Sequence, residues 1–230
     1  MYTRLSIAAL ATLALATTEP PSSTAPAASD ETVLFDEPFD DDSNGWGIID
    51  DPYYGGTSYD NGDYVWNLTG STGHLIAEVL GIQYDNDELD MLDVSVRAEL
   101  TIDAGNGVAG VFCREVPDTD ADFQWYEFVV RDGWAAVRLT DMEGNIDVIA
   151  ETDDVEVAKG DPFAIEATCV DDADGVAHLS LSIDGEPVLA AEDADPLGNG
   201  VAGLQAWTYP VHALMEIRWH HFTVLPATAV

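Results

Sequence analysis

Apolar and polar residues alternate with a period of two along much of this chain, and this pattern constrains its fold more than any other feature. From Val94 to Ile102, apolar residues occupy every second position, and the same holds for Phe163 to Cys169 and Leu179 to Ile183. Successive side chains of a strand point to opposite faces, so the pattern is typical of strands with one buried face. Turn signals recur at Asp132-Gly133, Glu143-Gly144-Asn145, Asp174-Gly175, Asp184-Gly185 and Gly198-Asn199-Gly200.

These runs predict an all-β domain of about twelve strands, which is too many for one open sheet. Two packed antiparallel sheets are therefore expected. No helical pattern follows residue 16.

The first 32 residues predict export. Residues 1–16 combine Arg4, an apolar run and the small residues Ala14-Leu15-Ala16, which are the features of a signal peptide. Residues 17–32 are rich in Thr, Ser, Pro and Ala and are expected to form a flexible linker. The folded domain is then 33–230. The apolar run is too short to span a bilayer, so no membrane span is expected after signal removal. The predicted location is secreted or at the cell surface.

The charge is extreme. Forty-four Asp and Glu face seven basic residues, of which Lys159 is the single lysine, and the formal net charge is −37. Such a surface repels nucleic acid and anionic membranes. Dispersed carboxylates favour the solvating surface of a halophilic protein, whereas clustered carboxylates would favour calcium loops.

Calcium is the only ion or cofactor that the sequence suggests. Asp40, Asp42, Asn44, Gly45 and Asp51 match the spacing of a calcium loop, although no helices flank them. Two further acidic loops contain Asp118, Asp120 and Asp122, and Asp171, Asp172 and Asp174. The alternative is that all three are solvated turns.

Two local features concern a cysteine pair and an irregularity in the last strand. Cys113 and Cys169 lie in strand-like segments of an exported chain, which predicts a disulfide, with two buried thiols as the alternative. The apolar phase of the last strand slips at His220-His221. A slip of this kind indicates a β-bulge rather than a metal site, since adjacent strand residues point to opposite faces.

Several motifs in order and spacing resemble the concanavalin A-like jelly-roll domains. They are Leu34-Phe35-Asp36-Glu37-Pro38-Phe39 with Ser43-Asn44-Gly45-Trp46, residues 107–114, Trp125-Tyr126-Glu127-Phe128, Ile183-Asp184-Gly185-Glu186-Pro187-Val188, residues 200–204 and residues 218–224. The closing strand reads Trp219-His220-His221-Phe222, where the family usually carries an acidic pair. The resemblance implies a two-sheet jelly roll, and it leaves function open because the superfamily includes lectins, laminin-G-like binding domains and glycosidases.

A catalytic alternative comes from the same resemblance. Glu88, Asp90 and Asp93 are similar to the Glu-x-Asp-x-x-Glu strand of family 16 glucanases, in which two carboxylates act as nucleophile and general acid. Asp93 departs from that motif, because its side chain is shorter than that of Glu.

A sugar-binding surface needs aromatic rings and planar polar groups. Strand alternation suggests Arg97, Arg114, Tyr126, Arg138, Gln205 and Trp207 as its members. Ion pairing with the abundant carboxylates is an equal alternative for the arginines. Aromatic residues between Trp46 and Tyr64 could form a rim, although Trp46 and Tyr64 themselves are expected in the core. The sequence therefore favours a non-catalytic domain that binds carbohydrate or another extracellular polymer, with a glycosidase or a protein-binding adhesion domain as alternatives.

Overall fold

A computed structural model describes residues 32–51, 55–69, 74–78, 92–116, 124–141, 144–208 and 214–228, which belong to one compact unit from Thr32 to Val230. The predicted signal peptide and all but the last residue of the predicted linker lie outside these ranges, as do Glu88, Asp90 and the loop of Asp118, Asp120 and Asp122. Within the ranges described, no helix is long and apolar enough to cross a membrane.

The described residues form fifteen strands. They are β1 Phe35–Glu37, β2 Asp50–Asp51, β3 Gly55–Asp60, β4 Asp63–Thr69, β5 His74–Glu78, β6 Val94–Gly105, β7 Gly107–Val116, β8 Gln124–Arg131, β9 Trp134–Asp141, β10 Ile146–Thr152, β11 Pro162–Asp171, β12 Ala177–Ile183, β13 Glu186–Asp193, β14 Val201–Thr208 and β15 Leu214–Pro226.

The strands assemble into two antiparallel sheets. One has nine strands in the order β13-β12-β11-β6-β15-β4-β3-β2, with β1 added on β15, and the other has six in the order β10-β9-β8-β7-β14-β5. The all-β sandwich expected from the sequence is confirmed. The count exceeds about twelve because strands as short as β1 and β2 contain too few residues for an alternating pattern to be visible.

The core lies between the inner faces of the two sheets. β12 shows how alternation builds it: Ala177, Leu179, Leu181 and Ile183 are buried, and the residues between them are partly exposed. An aromatic cluster fills the part of the core beside β4 and β15, with Trp66 and Trp219 at 5.4 Å between ring centroids. It continues through Phe39, Trp46, Tyr64 and Phe222. The expectation that Trp46 and Tyr64 belong to the core is confirmed.

A disulfide joins the two sheets through the core. Cys113 on β7 is bonded to Cys169 on β11, 56 residues later in the sequence, and both residues are fully buried. The predicted disulfide is therefore confirmed. It covalently connects strands that belong to different sheets.

The bulge predicted in the last strand is also confirmed. The register of β15 against β6 shifts between Trp219 and His221. His220 contacts Asp63 through Nδ1 and Thr101 through Nε2, each at 2.7 Å, whereas His221 contacts Asp36. The two histidines have different partners, yet both point away from the core, because Trp219 before them and Phe222 after them are the buried residues. The bulge therefore removes the alternation that would have placed the two histidines on opposite faces.

Candidate functional site

The outer face of the six-stranded sheet carries an unusual set of side chains. On β8, Tyr126, Phe128 and Val130 point into the core. Strand alternation therefore directs Trp125 and Glu127 to the opposite face. Both are nonetheless buried, and Glu127 is 0% exposed. A fully buried carboxyl group outside the hydrophobic core needs partners of its own.

Three donors on three strands converge on Glu127. Its Oε1 accepts hydrogen bonds from Trp125 Nε1 at 3.1 Å and Trp207 Nε1 at 3.3 Å, and its Oε2 accepts one from Arg138 Nη2. Burial raises the pKa of the Glu127 carboxyl above its ordinary value, and the Arg138 guanidinium opposes part of that rise. The carboxylate thus fixes two indoles and one guanidinium in defined positions.

Two tryptophans of this face remain half-buried. Trp134 and Trp207 pack against a small cluster formed by Val108, Val129 and Ala136. We call Trp134 and Trp207 the tryptophan platform. Their rings are polarisable apolar surfaces that reach solvent on an otherwise closely packed face.

Arg138 lies between the two members of the tryptophan platform. Its Cζ is 5.9 Å from the ring centroid of Trp134 and 5.9 Å from that of Trp207. The two centroids are therefore at most about 12 Å apart. Arg131 lies over Trp134 in the same way, with Cζ 5.2 Å from its centroid. Cation–π contacts of this geometry favour the observed ring orientations.

The same face holds buried donors without a partner among the described residues. Gln205 Oε1 accepts a hydrogen bond from Trp125 Nε1 at 3.3 Å, but Gln205 Nε2 has no partner there. Arg138 Nε is likewise unpartnered within the described part of the chain. Buried donors are usually satisfied, so these two groups mark an incompletely paired part of this face.

Several solved structures have a similar architecture, and this chain covers almost their whole length. They include the carbohydrate binding module CBM66 from Bacillus subtilis (15% identity, 79% of this chain and 96% of that chain, TM-score 0.51). Another is a protein of unknown function with a galectin-like fold from Bacillus subtilis (13% identity, 85% of this chain and 97% of that chain, TM-score 0.57). A third is the Bacillus licheniformis β-glucanase (10% identity, 83% of this chain and 97% of that chain, TM-score 0.51). This chain has a concanavalin A-like jelly-roll fold. No protein-family model and no curated protein matches its sequence.

The jelly roll brings together only half of the six residues predicted as ligand-binding. Arg138, Gln205 and Trp207 share the outer face of the six-stranded sheet. Tyr126 lies on β8 in the opposite phase, so its ring is in the core, and its hydroxyl donates to Asp193 Oδ2 at 2.7 Å. Burial and this bond raise the pKa of Tyr126.

Arg97 and Arg114 also lie away from that face. Arg97 is on β6 of the nine-stranded sheet and pairs with Glu166 at 3.1 Å. Arg114 has φ +55° at a register shift of β7, which breaks the alternation used to predict its direction. It is fully buried and donates to the Leu92 carbonyl and to Asp171 Oδ1. Intramolecular ion pairing, the alternative considered above, describes both arginines.

Asp93 and Asp172, two of the acidic candidates that the structure describes, have partners within the protein. Asp93 Oδ1 accepts a hydrogen bond from the Asp171 amide at 2.9 Å and lies 3.6 Å from Arg114 Nη2. Asp172 accepts hydrogen bonds from the amides of Asp174 and Val176, and the Val176 bond contributes most to lowering its pKa. Within the described residues, no three His, Cys, Asp or Glu side chains are grouped so that they could hold a metal ion.

Three residues of the cluster were not singled out from the sequence: Trp125, Glu127 and Trp134. The signal for them was available in the alternation of residues 124–131 and in the Asp132-Gly133 turn, which starts β9 at Trp134. The prediction that Tyr126 faces outward assigned the wrong set of alternate β8 residues to the outer face. The opposite phase would have selected Trp125 and Glu127 instead.

Proposed function

We propose that this jelly roll binds a glycan, without chemistry, on the outer face of its six-stranded sheet. The observation that carries the proposal is the tryptophan platform held in place by the buried Glu127–Arg138 pair. Aromatic rings offer sugar rings a flat apolar surface, and a few fixed polar groups supply orientation.

The spacing of the platform fits an oligosaccharide better than a single sugar. Its two ring centroids are at most about 12 Å apart, so a short glycan chain can contact both rings. Both rings are already oriented in the free protein, because Trp207 donates to Glu127 and Trp134 donates from Nε1 to Glu151 Oε2 at 3.0 Å. Groups that are fixed before binding lose less conformational entropy on binding.

The environment of Glu127 supports binding rather than hydrolysis. Glycoside hydrolysis uses two carboxyl groups that flank the scissile bond. Glu127 is fully buried and accepts three hydrogen bonds from its neighbours, so its carboxyl group is not accessible to a substrate. Asp93, the one described member of the predicted catalytic set, is engaged by the Asp171 amide and lies near Arg114.

Two observations support an extracellular site of action. Disulfides persist in oxidising compartments, and this domain has one through its core. One structure with the same fold belongs to a carbohydrate binding module, and another to a β-glucanase.

The test is a binding titration of the domain with a panel of neutral and acidic oligosaccharides, comparing parent, Trp134→Ala and Trp207→Ala. Loss of a stacked ring should weaken binding about fivefold or more for a bound glycan, since each such contact is worth roughly 1 kcal/mol or more. Leu214→Ala is the matched control, because Leu214 is an exposed apolar residue of the nine-stranded sheet.

Two results would overturn the proposal. One is that no oligosaccharide of the panel binds the parent. The other is that a glycan binds equally well to both tryptophan variants. Release of reducing ends from any probe would replace the binding proposal with a hydrolytic one.

A further inference from the structure

The positive charges of this domain are distributed unevenly. The structure describes six basic residues, and four of them pair with carboxylates. The pairs are Arg97 with Glu166, Arg114 with Asp171, Arg138 with Glu127, and Arg218 with Asp103. Arg131 and Lys159 have no carboxylate partner among the described residues.

Both unpaired cations line one cavity. It has a volume of about 540 Å³ and lies at the end of the sandwich where β6 turns into β7 and β8 turns into β9. Its lining includes Gly105, Asn106, Arg131, Asp132 and Lys159. The Lys159 ammonium donates to the Gly105 carbonyl and to Asn106 Oδ1, which directs it to this site. An ammonium has three N–H donors, so one more contact is open to it.

This arrangement is unexpected in a chain with 44 acidic residues and seven basic ones. With so many carboxylates present, each cation would be expected to find one. Among the described residues the one lining carboxylate is Asp132, and it forms no ion pair with either cation. Two cations that line one cavity and have no carboxylate partner in the described part of the chain form a site for an oxyanion.

The cavity adjoins the tryptophan platform. Arg131 lines the cavity and also lies over the ring of Trp134. Gly107, which also lines the cavity, pairs with Thr208, the residue after Trp207. The cavity is thus next to both members of the tryptophan platform.

We infer that this cavity binds the anionic group of an acidic glycan, either the carboxylate of a uronic acid residue or a sulfate ester. The inference rests on the proposed function, because the platform positions the sugar whose anionic group enters the cavity. The rest of the surface repels polyanions, so recognition depends on these two cations in direct contact with the ligand rather than on long-range attraction.

The experiment measures the dissociation constants of three defined probes. They are a trigalacturonate, a sulfated carrageenan oligosaccharide and a neutral cello-oligosaccharide, each titrated calorimetrically in about 1 M salt, where the screening length falls to about 3 Å. The variants are Arg131→Gln and Lys159→Gln. Arg97→Gln is the matched control, because it changes the net charge equally at an exposed site on the other sheet.

The expected result is that at least one acidic probe binds more tightly than the neutral one. Arg131→Gln and Lys159→Gln each then weaken that acidic probe about tenfold, as loss of a charge-assisted hydrogen bond does. Arg97→Gln leaves it unchanged, and the preferred probe shows whether the group is a carboxylate or a sulfate. Thermal unfolding of each variant verifies that it is folded.

The failures are distinguishable. If neutral and acidic probes bind equally and neither Arg131→Gln nor Lys159→Gln has an effect, the inference is overturned. The proposed binding of glycans on the tryptophan platform is then unaffected. An acidic probe that depends on Lys159 but is unaffected by Trp134→Ala and Trp207→Ala supports the anion site and overturns the platform. Absence of binding by all three probes overturns the inference.

Discussion

Glu127 and Arg138 are direct neighbours across β8 and β9, and Arg138 Nη2 donates a hydrogen bond to Glu127 Oε2. Both side chains are buried on the outer face of the sheet. Because the same carboxylate also accepts from Trp207 on β14, this pair links three strands of the six-stranded sheet. It therefore determines the geometry of the tryptophan platform as well as contributing to stability.

Removing either charge of this pair should be strongly destabilising. Glu127→Gln leaves Arg138 buried without its counter-ion, and Arg138→Met does the same to Glu127. Each should lower the free energy of unfolding by about 3–5 kcal/mol. The double variant should lose about 2 kcal/mol less than the sum of the two. Urea unfolding of all four proteins measures this coupling, and strictly additive losses would show that the two side chains do not act as a pair.

Glu127 should also leave a signature in the pH dependence of stability. Its folded-state pKa is raised above the ordinary value of 4.5, so the native state holds the proton more tightly than the unfolded state. Its contribution is therefore fully present below the ordinary value and is lost as pH rises through the folded-state pKa. The stability of the parent relative to Glu127→Gln should decrease over that interval. A difference that increases with pH would mean that the pKa is lowered instead.

Gly110 should tolerate no side chain. A Cβ at this position would lie 2.0 Å from the Phe128 carbonyl oxygen of the neighbouring strand. Gly110→Ala should therefore destabilise the domain by about 3 kcal/mol, because the backbones of β7 and β8 must separate. Gly198→Ala is the control, since a Cβ there meets no atom within 4 Å, and it should change stability by less than about 0.5 kcal/mol. Equal effects in the two variants would contradict the close approach.

The disulfide should account for a large share of the stability. Closing a loop of 56 residues between Cys113 and Cys169 is worth about 4 kcal/mol in the chain-entropy account. Replacing both cysteines by alanine should lower the unfolding midpoint in guanidinium by a corresponding amount. Reductant should destabilise the parent and leave the alanine variant unchanged. Insensitivity of the parent to full reduction would contradict this.

Much of the fold was predictable because it follows from local patterns. Alternation over Val94–Ile102 and the Asp-Gly turns indicate antiparallel strands, and the phase slip at His220-His221 predicts the bulge that occurs there. Cys113 and Cys169 lie on inward-facing positions of their strands, so alternation and export together predicted their bond. The strand and bulge predictions depend on neighbouring residues alone, and the disulfide was predictable because the chain has only two cysteines.

The site was only half predictable because its geometry depends on phase and on long-range pairing. Arg114 follows a register shift and takes a positive φ, which no alternation pattern reveals. Trp207 and Glu127 are 80 residues apart, and their contact follows from the placement of β14 two strands away from β8. The convergence of Arg131 and Lys159 likewise requires the fold, because it brings a β-turn and the segment before β11 to one cavity.

The most direct test of the account is an NMR titration of the six tryptophan indole N–H groups with the panel of oligosaccharides. Trp46, Trp66 and Trp219 lie in the core, and Trp125, Trp134 and Trp207 lie on the outer face of the six-stranded sheet. The account predicts that a bound glycan shifts the signals of Trp134 and Trp207 and leaves those of the three core indoles in place. Shifts confined to the core indoles, or no shift with any glycan, would contradict it.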